Sequence, residues 1–158
     1  MLVQEIYDNL KEKFPEAVLE FIGTATGDPS TVVDAGQIYN ICKYLRDQDG
    51  LEFDYLALLS GMDYKDKFGT VYHLYSLKYK HRFVIKTYLP KEDPSLPSVE
   101  RIWKTANWHE REAYDMFGIK FENHPNMIRI LCPYDWEGYP LRKDYVGQET
   151  YHGVRIPV

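Results

Sequence analysis

The chain has only two cysteines among its 158 residues, Cys42 and Cys132, and no CxxC motif. An iron–sulfur cluster or a structural zinc ion usually requires about four cysteine or histidine ligands. Two distant cysteines cannot supply such a set. We expect each thiol to be a small buried or half-buried side chain, and so few cysteines fit a reducing compartment best.

The sequence also lacks the common catalytic motifs. No GxGxxG or GxxxxGK phosphate loop follows a predicted strand, and no GxSxG turn is present. His109-Glu110 begins like the zinc-protease motif HExxH, but position 113 is Ala. The chain therefore shows no self-contained active site. One alternative from another class is a stand-alone metal-dependent hydrolase that uses His109, Glu112 and His124, although their spacing fits no standard pattern of ligands.

Long apolar runs and an excess of positive charge are missing as well. No run approaches the roughly 18 residues needed to cross a bilayer, and the N-terminus lacks the basic and apolar regions of a signal peptide. The net charge of −5 gives no support for non-specific binding to nucleic acid or anionic membranes. Any link to a membrane should therefore run through a partner protein.

Aromatic residues, by contrast, are abundant at 15% of the chain, with 14 tyrosines. Tyrosine is enriched at protein–protein interfaces. The charged fraction of 27% and the hydrophobic fraction of 44% are those of an ordinary soluble domain. The length suits one domain with an appended tail.

Hydrophobic periodicity predicts an α+β fold. Apolar residues four apart indicate a first helix that Pro15 ends, and Asp34 is a plausible N-cap for a second. Three later β-rich runs separated by short polar turns predict an antiparallel meander. The result is a two-layer sandwich in the order α-β-β-α-β-β-β, followed by a helix and an extended C-terminal tail. The predicted elements are helices 2–14 and 34–48 and strands 17–24, 31–33, 52–62, 70–78 and 82–89.

Residues 90–97 contain three prolines and are predicted to be a rigid linker without a strand interior. Ser98 would then cap a short helical segment through Trp103. We expect residues 1–97 to form the sandwich domain and residues 98–158 to form the last helix and the tail, packed together as one structural unit.

A basic group lies on the predicted hairpin before this linker. Lysines at the edge of a sheet commonly prevent unwanted strand pairing, which is one interpretation of the group. An electrostatic docking patch is the other. Its members are Lys78, Lys80, His81, Arg82 and Lys86.

The helix that follows is predicted to begin at an N-cap, Asn107, and to stop at a left-handed Gly118. Glu110 interrupts its apolar stripe. It is either a capping-box side chain or a buried anchor for a tail cation, namely Arg129, Arg142 or Lys143. Arg111 and Asp115 are four apart and could pair along the helix surface.

The tail window Trp136–Tyr145 has the composition of a binding segment. Trp136, Tyr139, Leu141 and Tyr145 could fill pockets in a partner, and Arg142 could donate two parallel hydrogen bonds. The alternative is that the tail folds back on its own sheet.

Several of these stretches resemble the C subunit of NADH–quinone oxidoreductase, the respiratory complex I protein whose mitochondrial counterpart is called the 30 kDa subunit. Tyr139 stands where many members have His, and Cys132-Pro133-Tyr134 replaces a more acidic run. The matching motifs are Tyr88-Leu89-Pro90, Asp93-Pro94, Leu96-Pro97-Ser98-Val99, Glu110-Arg111-Glu112, Tyr114 through Ile119, His124-Pro125, Arg129-Ile130-Leu131, Trp136-Glu137-Gly138 and Pro140 through Tyr145.

The resemblance implies a non-catalytic structural subunit of a proton-translocating NADH:quinone oxidoreductase. Such a protein has no catalytic, cofactor-binding or metal-binding residue, because NADH, FMN, the iron–sulfur clusters and quinone belong to other subunits. It lies peripherally at the cytoplasmic face of the membrane and docks against the quinone-site subunit, which is the D or 49 kDa-type component of complex I. The alternative is the equivalent subunit of a ferredoxin-dependent quinone reductase or a membrane-bound hydrogenase.

Two sets of site residues follow from the resemblance together with the tail composition. The first set would contact the partner: Trp136, Gly138, Pro140, Leu141, Arg142, Lys143, Asp144 and Tyr145. The second set is the structural signature of the helix and the turn after it: Glu110, Arg111, Glu112, Asp115, His124, Pro125 and Arg129.

Overall fold

The computed structural model describes residues 2–23 and 28–156. Over these residues the chain forms three α-helices and nine strands. The helices are α1 (Val3–Lys13), α2 (Ile38–Asp47) and α3 (Ala106–Phe117). The strands are β1 (Val18–Ile22), β2 (Ser30–Val33), β3 (Tyr55–Asp63), β4 (Phe68–Tyr75), β5 (Arg82–Leu89), β6 (Ser95–Pro97), β7 (Lys120–Glu122), β8 (Thr150–Tyr151) and β9 (Val154–Arg155).

The first five strands form one sheet in the order β1-β2-β5-β4-β3. The predicted meander is confirmed, because β3, β4 and β5 are consecutive antiparallel neighbours. β2 lies parallel to β5 on the other side. β5 is therefore an interior strand, so the interpretation of its basic residues as protection of a sheet edge is wrong.

The core lies between one face of this sheet and the helices. Side chains alternate along each strand, so every second residue of β4 and β5 points towards α1 and α2. Burying one large apolar side chain contributes roughly 1.5–3 kcal/mol. The two-layer α+β prediction is confirmed, and so is its order of elements through β5. The core includes Ile6, Leu10, Ile38, Ile41, Cys42, Leu45, Phe68, Tyr72, Leu74, Phe83 and Ile85, and also Leu96, Val99, Ile102, Trp103, Ala106 and Ala113 from the second half of the chain.

The predicted linker is wrong in one part, because β6 lies inside it. β6 pairs in parallel with β7, with Leu96 opposite Phe121. Each strand of a two-stranded sheet has a free edge, where a proline without an N–H group is tolerated. The helical segment predicted after Ser98 is also wrong. The Ser98 hydroxyl accepts the Glu100 N–H at 3.1 Å, and residues 98–105 form a series of turns.

The predicted helix starts are less accurate than the predicted ends. α3 begins at Ala106 rather than after an Asn107 cap, and Asp34 makes no side-chain cap to the 3-10 turn that precedes α2. The left-handed stop at Gly118 is confirmed by its φ of 74° and by its N–H, which donates to Tyr114 O at 2.7 Å. Gly23–Ser30 was predicted to be a turn, and its residues 24–27 lie outside the described part of the chain. None of the helices described here is both long and apolar enough to cross a membrane.

Candidate partner-binding site

Asp115 is the buried centre from which the C-terminal segment is held. Its side chain lies in the last turns of α3 and has no solvent exposure. Its Oδ2 accepts three consecutive backbone N–H groups, those of Ile130 at 3.0 Å, Leu131 at 2.7 Å and Cys132 at 2.8 Å. Its Oδ1 accepts Nη1 of Arg129 at 2.7 Å. Burial alone would raise the pKa of Asp115, but the hydrogen bonds from Cys132 N, Arg129, Leu131 N and Ile130 N outweigh it and lower that pKa.

Arg111 holds the same turn from a neighbouring position on α3. Its Nε donates to Ile128 O and its Nη2 to Arg129 O, both at 3.1 Å. The predicted pairing of Arg111 with Asp115 along the helix is therefore wrong. Instead, the carboxylate takes the N–H groups of the turn and the guanidinium takes its carbonyl groups, so both polarities of that backbone are satisfied.

Glu110 is used on the opposite side of α3. Its Oε2 accepts the Ser98 hydroxyl at 2.6 Å and its Oε1 accepts Val99 N–H at 2.7 Å. Both interpretations of Glu110 are thus wrong, because it binds neither its own helix start nor a tail cation. Burial raises the pKa of Glu110 to about 7, while the bonds from Ser98 and Val99 oppose this rise. The carboxyl ties the turn after β6 to the helix.

The two histidines of the hydrolase alternative do not form a metal site. His124 Nε2 donates to Asn107 O at 3.1 Å, and His124 Nδ1 accepts Asn126 N–H at 3.0 Å. Burial lowers the pKa of His124, so the neutral ring that these two bonds require is favoured. Glu112 and Pro125 are exposed. Within residues 2–23 and 28–156 no group of three or more His, Cys, Asp or Glu side chains could hold a metal ion. Cys42 is buried and Cys132 half-buried, and both are free, as predicted.

A second anchor holds the chain further along, at residues 141–143. Leu141 N–H donates to Met116 O at 3.1 Å, and Lys143 N–H donates to Oδ2 of Asp63 at 2.9 Å. Arg142 Nε donates to Phe117 O at 2.6 Å. The Arg142 guanidinium carbon also lies 4.8 Å from the centroid of the Phe68 ring. Arg142 therefore uses part of its donor fork within its own chain rather than presenting all of it to a partner.

Gly118 makes this second anchor possible. A Cβ atom at Gly118 would lie 2.6 Å from Nη2 of Arg142 and 2.6 Å from the ring of Tyr139. Glycine is thus required here both for its positive φ and for the close approach of Arg142. The sequence indicated only the first of these reasons.

Between the two anchors, side chains of the segment bind each other. Trp136 Nε1 donates to the Tyr145 hydroxyl at 3.1 Å, and Arg129 Nη2 donates to Gly138 O at 2.7 Å. Gly138 has a φ of 76°, and a Cβ there would lie 2.8 Å from the Tyr145 ring. Trp136 and Tyr145, both predicted to enter pockets of a partner, are half-buried within the chain. Pro140 is half-buried too, and Lys143 and Asp144 are exposed.

We define the C-terminal segment as residues 127–146. Its backbone is anchored to α3 and β3, yet several of its large apolar side chains point into solvent. Five such side chains on one anchored segment form an exposed hydrophobic surface, which in a folded protein commonly marks an interaction site. The sequence analysis named only one of them, Leu141, because an irregular segment has no period that shows which side chains face outward. They are Ile128 (53% exposed), Leu131 (63%), Tyr134 (93%), Leu141 (56%) and Val146 (87%).

Residues 31–151 match the protein family described as "Respiratory-chain NADH dehydrogenase, 30 Kd subunit". The chain is 49% identical to the NADH-quinone oxidoreductase C subunit of Chlorobium phaeobacteroides over 96% of its own length and 93% of that protein. It is 50% identical to the protein of the same name from Chloroherpeton thalassium, over 96% of this chain but only 64% of that longer protein.

Two solved structures share the fold. One is a trypsin-resistant fragment (1–134) of Nqo5, with a TM-score of 0.66 and 30% identity, covering 80% of this chain and 99% of the fragment. The other comes from the membrane-bound sulfane sulfur reductase, an archaeal respiratory membrane complex, with a TM-score of 0.74 and 26% identity over 90% of this chain and 85% of that one. The chain therefore belongs to the family of the 30 kDa subunit of respiratory-chain NADH dehydrogenase, whose bacterial relatives include these NADH-quinone oxidoreductase proteins.

Proposed function

We propose that the chain is a structural subunit of a proton-translocating NADH:quinone oxidoreductase and that its C-terminal segment docks against the quinone-site subunit. The observation that carries the proposal is the exposed row Ile128, Leu131, Tyr134, Leu141 and Val146 on an anchored backbone. A segment that is already ordered loses little conformational entropy on binding, so its apolar contacts contribute more of their free energy to affinity.

The chemistry of the buried groups supports a structural role. Asp115, Glu110 and His124, the titratable groups of the signature, each bind backbone or side-chain partners within the chain. Groups used in this way fix geometry rather than transfer protons to a substrate. We therefore propose that the chain shapes the redox assembly, that NADH, FMN, the iron–sulfur clusters and quinone bind to other subunits, and that the chain lies peripherally at the cytoplasmic face of the membrane.

The relative solved as a trypsin-resistant fragment offers a further expectation. That fragment ends at its own residue 134 and covers 80% of this chain. We expect trypsin to cut the isolated chain within its C-terminal region, where Arg129, Arg142, Lys143 and Arg155 are available, and to cut the assembled chain more slowly.

The test is co-purification of tagged full-length chain with the co-expressed quinone-site subunit. Leu131→Gln removes an apolar side chain that is 63% exposed and leaves the Leu131 N–H bond to Asp115 in place. If Leu131 is buried on docking, the loss of its transfer free energy should weaken binding by about tenfold or more. Leu77→Gln is the matched control, because Leu77 is 61% exposed and lies in the turn after β4. Equal recovery of the quinone-site subunit with both variants would refute docking through this row.

The likeness to the archaeal respiratory complex favours one alternative, the equivalent subunit of a related membrane-bound reductase or hydrogenase. Native purification of the assembly and identification of its electron-accepting subunits would distinguish the two proposals. Subunits that bind NADH and FMN support the first, and their replacement by ferredoxin-dependent or hydrogenase subunits supports the second.

A further inference from the structure

The five-stranded sheet has an outer face, which is the face turned away from α1, α2 and α3. Strand registers define its residues, since partners across neighbouring strands share a face. On β3, β4 and β5 the outer face consists of four cross-strand rows. These rows are Tyr55–Tyr75–Arg82, Leu58–His73–Val84, Ser60–Val71–Lys86 and Met62–Gly69–Tyr88.

The C-terminal segment and α3 lie on the opposite face. Phe117 packs on Phe68 with ring centroids 6.5 Å apart, and Arg142 stacks on the same Phe68 ring. Phe68 is an inner-face residue because it alternates with Gly69. The outer face consequently keeps large apolar side chains exposed along β3, with Tyr55 at 46%, Leu58 at 42% and Met62 at 40%.

The charge of this face differs from that of the whole chain. The chain carries a net charge of −5, but the rows on β4 and β5 present Arg82 and Lys86, and Lys67 Nζ lies 3.8 Å from the ring centroid of Tyr88. Arg82 is 75% exposed, and its contact with Asp28 is long, at 3.8 Å. Glu20, opposite Val32 on the distant strand β1, is the acidic side chain on the cross-strand row that contains Lys86.

Protection of a sheet edge does not explain these cations, because β5 lies between β2 and β4. Nor does an intramolecular ion pair, since Arg82 retains most of its exposure. At the centre of the face His73 adds a buried Nδ1 that has no hydrogen-bond partner among the described residues. A mixed surface of tyrosines, aliphatic side chains and a few cations is typical of a protein interface.

We propose that the outer face binds a second protein partner whose surface is apolar at its centre and acidic at its rim. The apolar centre would cover Leu58 and Met62, and the acidic rim would meet Arg82 and Lys86. The inference rests on the proposed function in one respect: the partner belongs to the same assembly and binds on the side opposite the C-terminal segment. A phosphate-rich partner is disfavoured, because such surfaces are bound by many exposed cations rather than by tyrosines and aliphatic groups.

A second copy of this chain is disfavoured for an electrostatic reason. Pairing two outer faces would bring Arg82 and Lys86 of one copy near the same residues of the other, and juxtaposed like charges oppose association. A partner with acidic residues turns the same charges into attraction and faster encounter.

The first test is hydroxyl-radical footprinting of the full chain, alone and within the purified native assembly. We expect oxidation of Met62 and Tyr55 to fall several-fold in the assembly, together with that of Tyr134 in the C-terminal segment. Protection of Tyr134 without protection of Met62 and Tyr55 would overturn this inference and leave the proposed function standing. Protection of neither would overturn both.

The second test identifies the chemistry of the partner. Arg82→Glu should reduce recovery of the outer-face partner roughly tenfold at physiological ionic strength, whereas Lys43→Glu, a control on the exposed side of α2, should not. Carbodiimide should join Lys86 or Lys67 to a carboxylate of another protein in the assembly. Cross-links only between copies of this chain, or binding of the isolated chain to phosphatidylserine vesicles that Arg82→Glu abolishes, would overturn the proposal in favour of a second copy or a membrane surface.

Discussion

Asp115→Asn is the substitution that most sharply tests how the C-terminal segment is held. Asparagine keeps the shape of the side chain but replaces one oxygen by an NH2 group. If the NH2 group lies at the Oδ2 position, it meets the N–H groups of Ile130, Leu131 and Cys132. If it lies at the Oδ1 position, it meets the Arg129 guanidinium at a distance that is now 2.7 Å. Donor faces donor in either orientation.

The expected magnitude follows from the burial of the pair. Asp115 has no exposure, and the Arg129 side chain is 14% exposed. Removing one partner of a buried, hydrogen-bonded ion pair typically costs about 3–5 kcal/mol. Release of residues 127–132 into solvent would limit this cost, because Arg129 and the three N–H groups would then be hydrated.

Urea unfolding followed by tryptophan fluorescence measures the global effect, and the rate of trypsin cleavage at Arg129 measures the local one. We expect a loss of about 3 kcal/mol or more in the free energy of unfolding, or a marked acceleration of cleavage with a smaller loss. Glu112→Gln is the control, because Glu112 is exposed on the same helix and its loss should change stability by less than about 0.5 kcal/mol. Unchanged stability together with unchanged cleavage in Asp115→Asn would refute the account of this anchor.

The sign of the pH dependence gives a second check on Asp115. Its pKa is lowered in the folded chain from the usual 3.8. The stabilisation is therefore present above the pKa of the unfolded state and is lost as pH falls through the folded pKa. The acid branch of the stability curve should be shallower in Asp115→Asn than in the wild type.

Two further substitutions test the neighbouring contacts. Because the pKa of Glu110 is raised from 4.5 to about 7, its contribution to stability is fully present below about pH 4.5 and falls by up to about 3 kcal/mol as pH rises through 7; Glu110→Gln should flatten this decline in urea titrations at several pH values, Glu122→Gln should not, and an undiminished decline in Glu110→Gln would show that another group causes it. Gly118→Ala should lower the melting temperature by more than Gly153→Ala, because both glycines have positive φ but only a Cβ at Gly118 meets other atoms, Arg142 and Tyr139; equal effects of the two substitutions would mean that backbone strain alone matters at Gly118.

The sequence predicted the elements that repeat. Apolar spacing of three to four residues in α1 and α2 and β-rich runs separated by turns have a direct physical cause in side-chain direction, so the order through β5 was recoverable. Gly118 was recoverable for the same reason, since a glycine after an amphipathic helix is required by the left-handed stop. The proline-rich strand β6 was not, because its pairing with β7 depends on a chain segment more than 20 residues away.

The contacts of Asp115 and Glu110 were not predictable from spacing. Most of their partners are backbone N–H groups, which every residue except proline carries, so no side-chain pattern marks them. The predictions looked for cations, and they paired Arg111 with Asp115 and a tail cation with Glu110. The structure instead uses backbone donors for both carboxylates and leaves Arg129 as the one cation bound to Asp115 among the described residues.

Photo-cross-linking from position 134 tests the central claim most directly. Tyr134 is 93% exposed at the middle of the C-terminal segment, so benzoylphenylalanine can replace it without disturbing the fold. We predict that the assembled chain forms an adduct with the quinone-site subunit from this position and that it forms none with that protein from position 77. An adduct confined to other copies of this chain, or no adduct at all in the intact assembly, would contradict docking through residues 127–146.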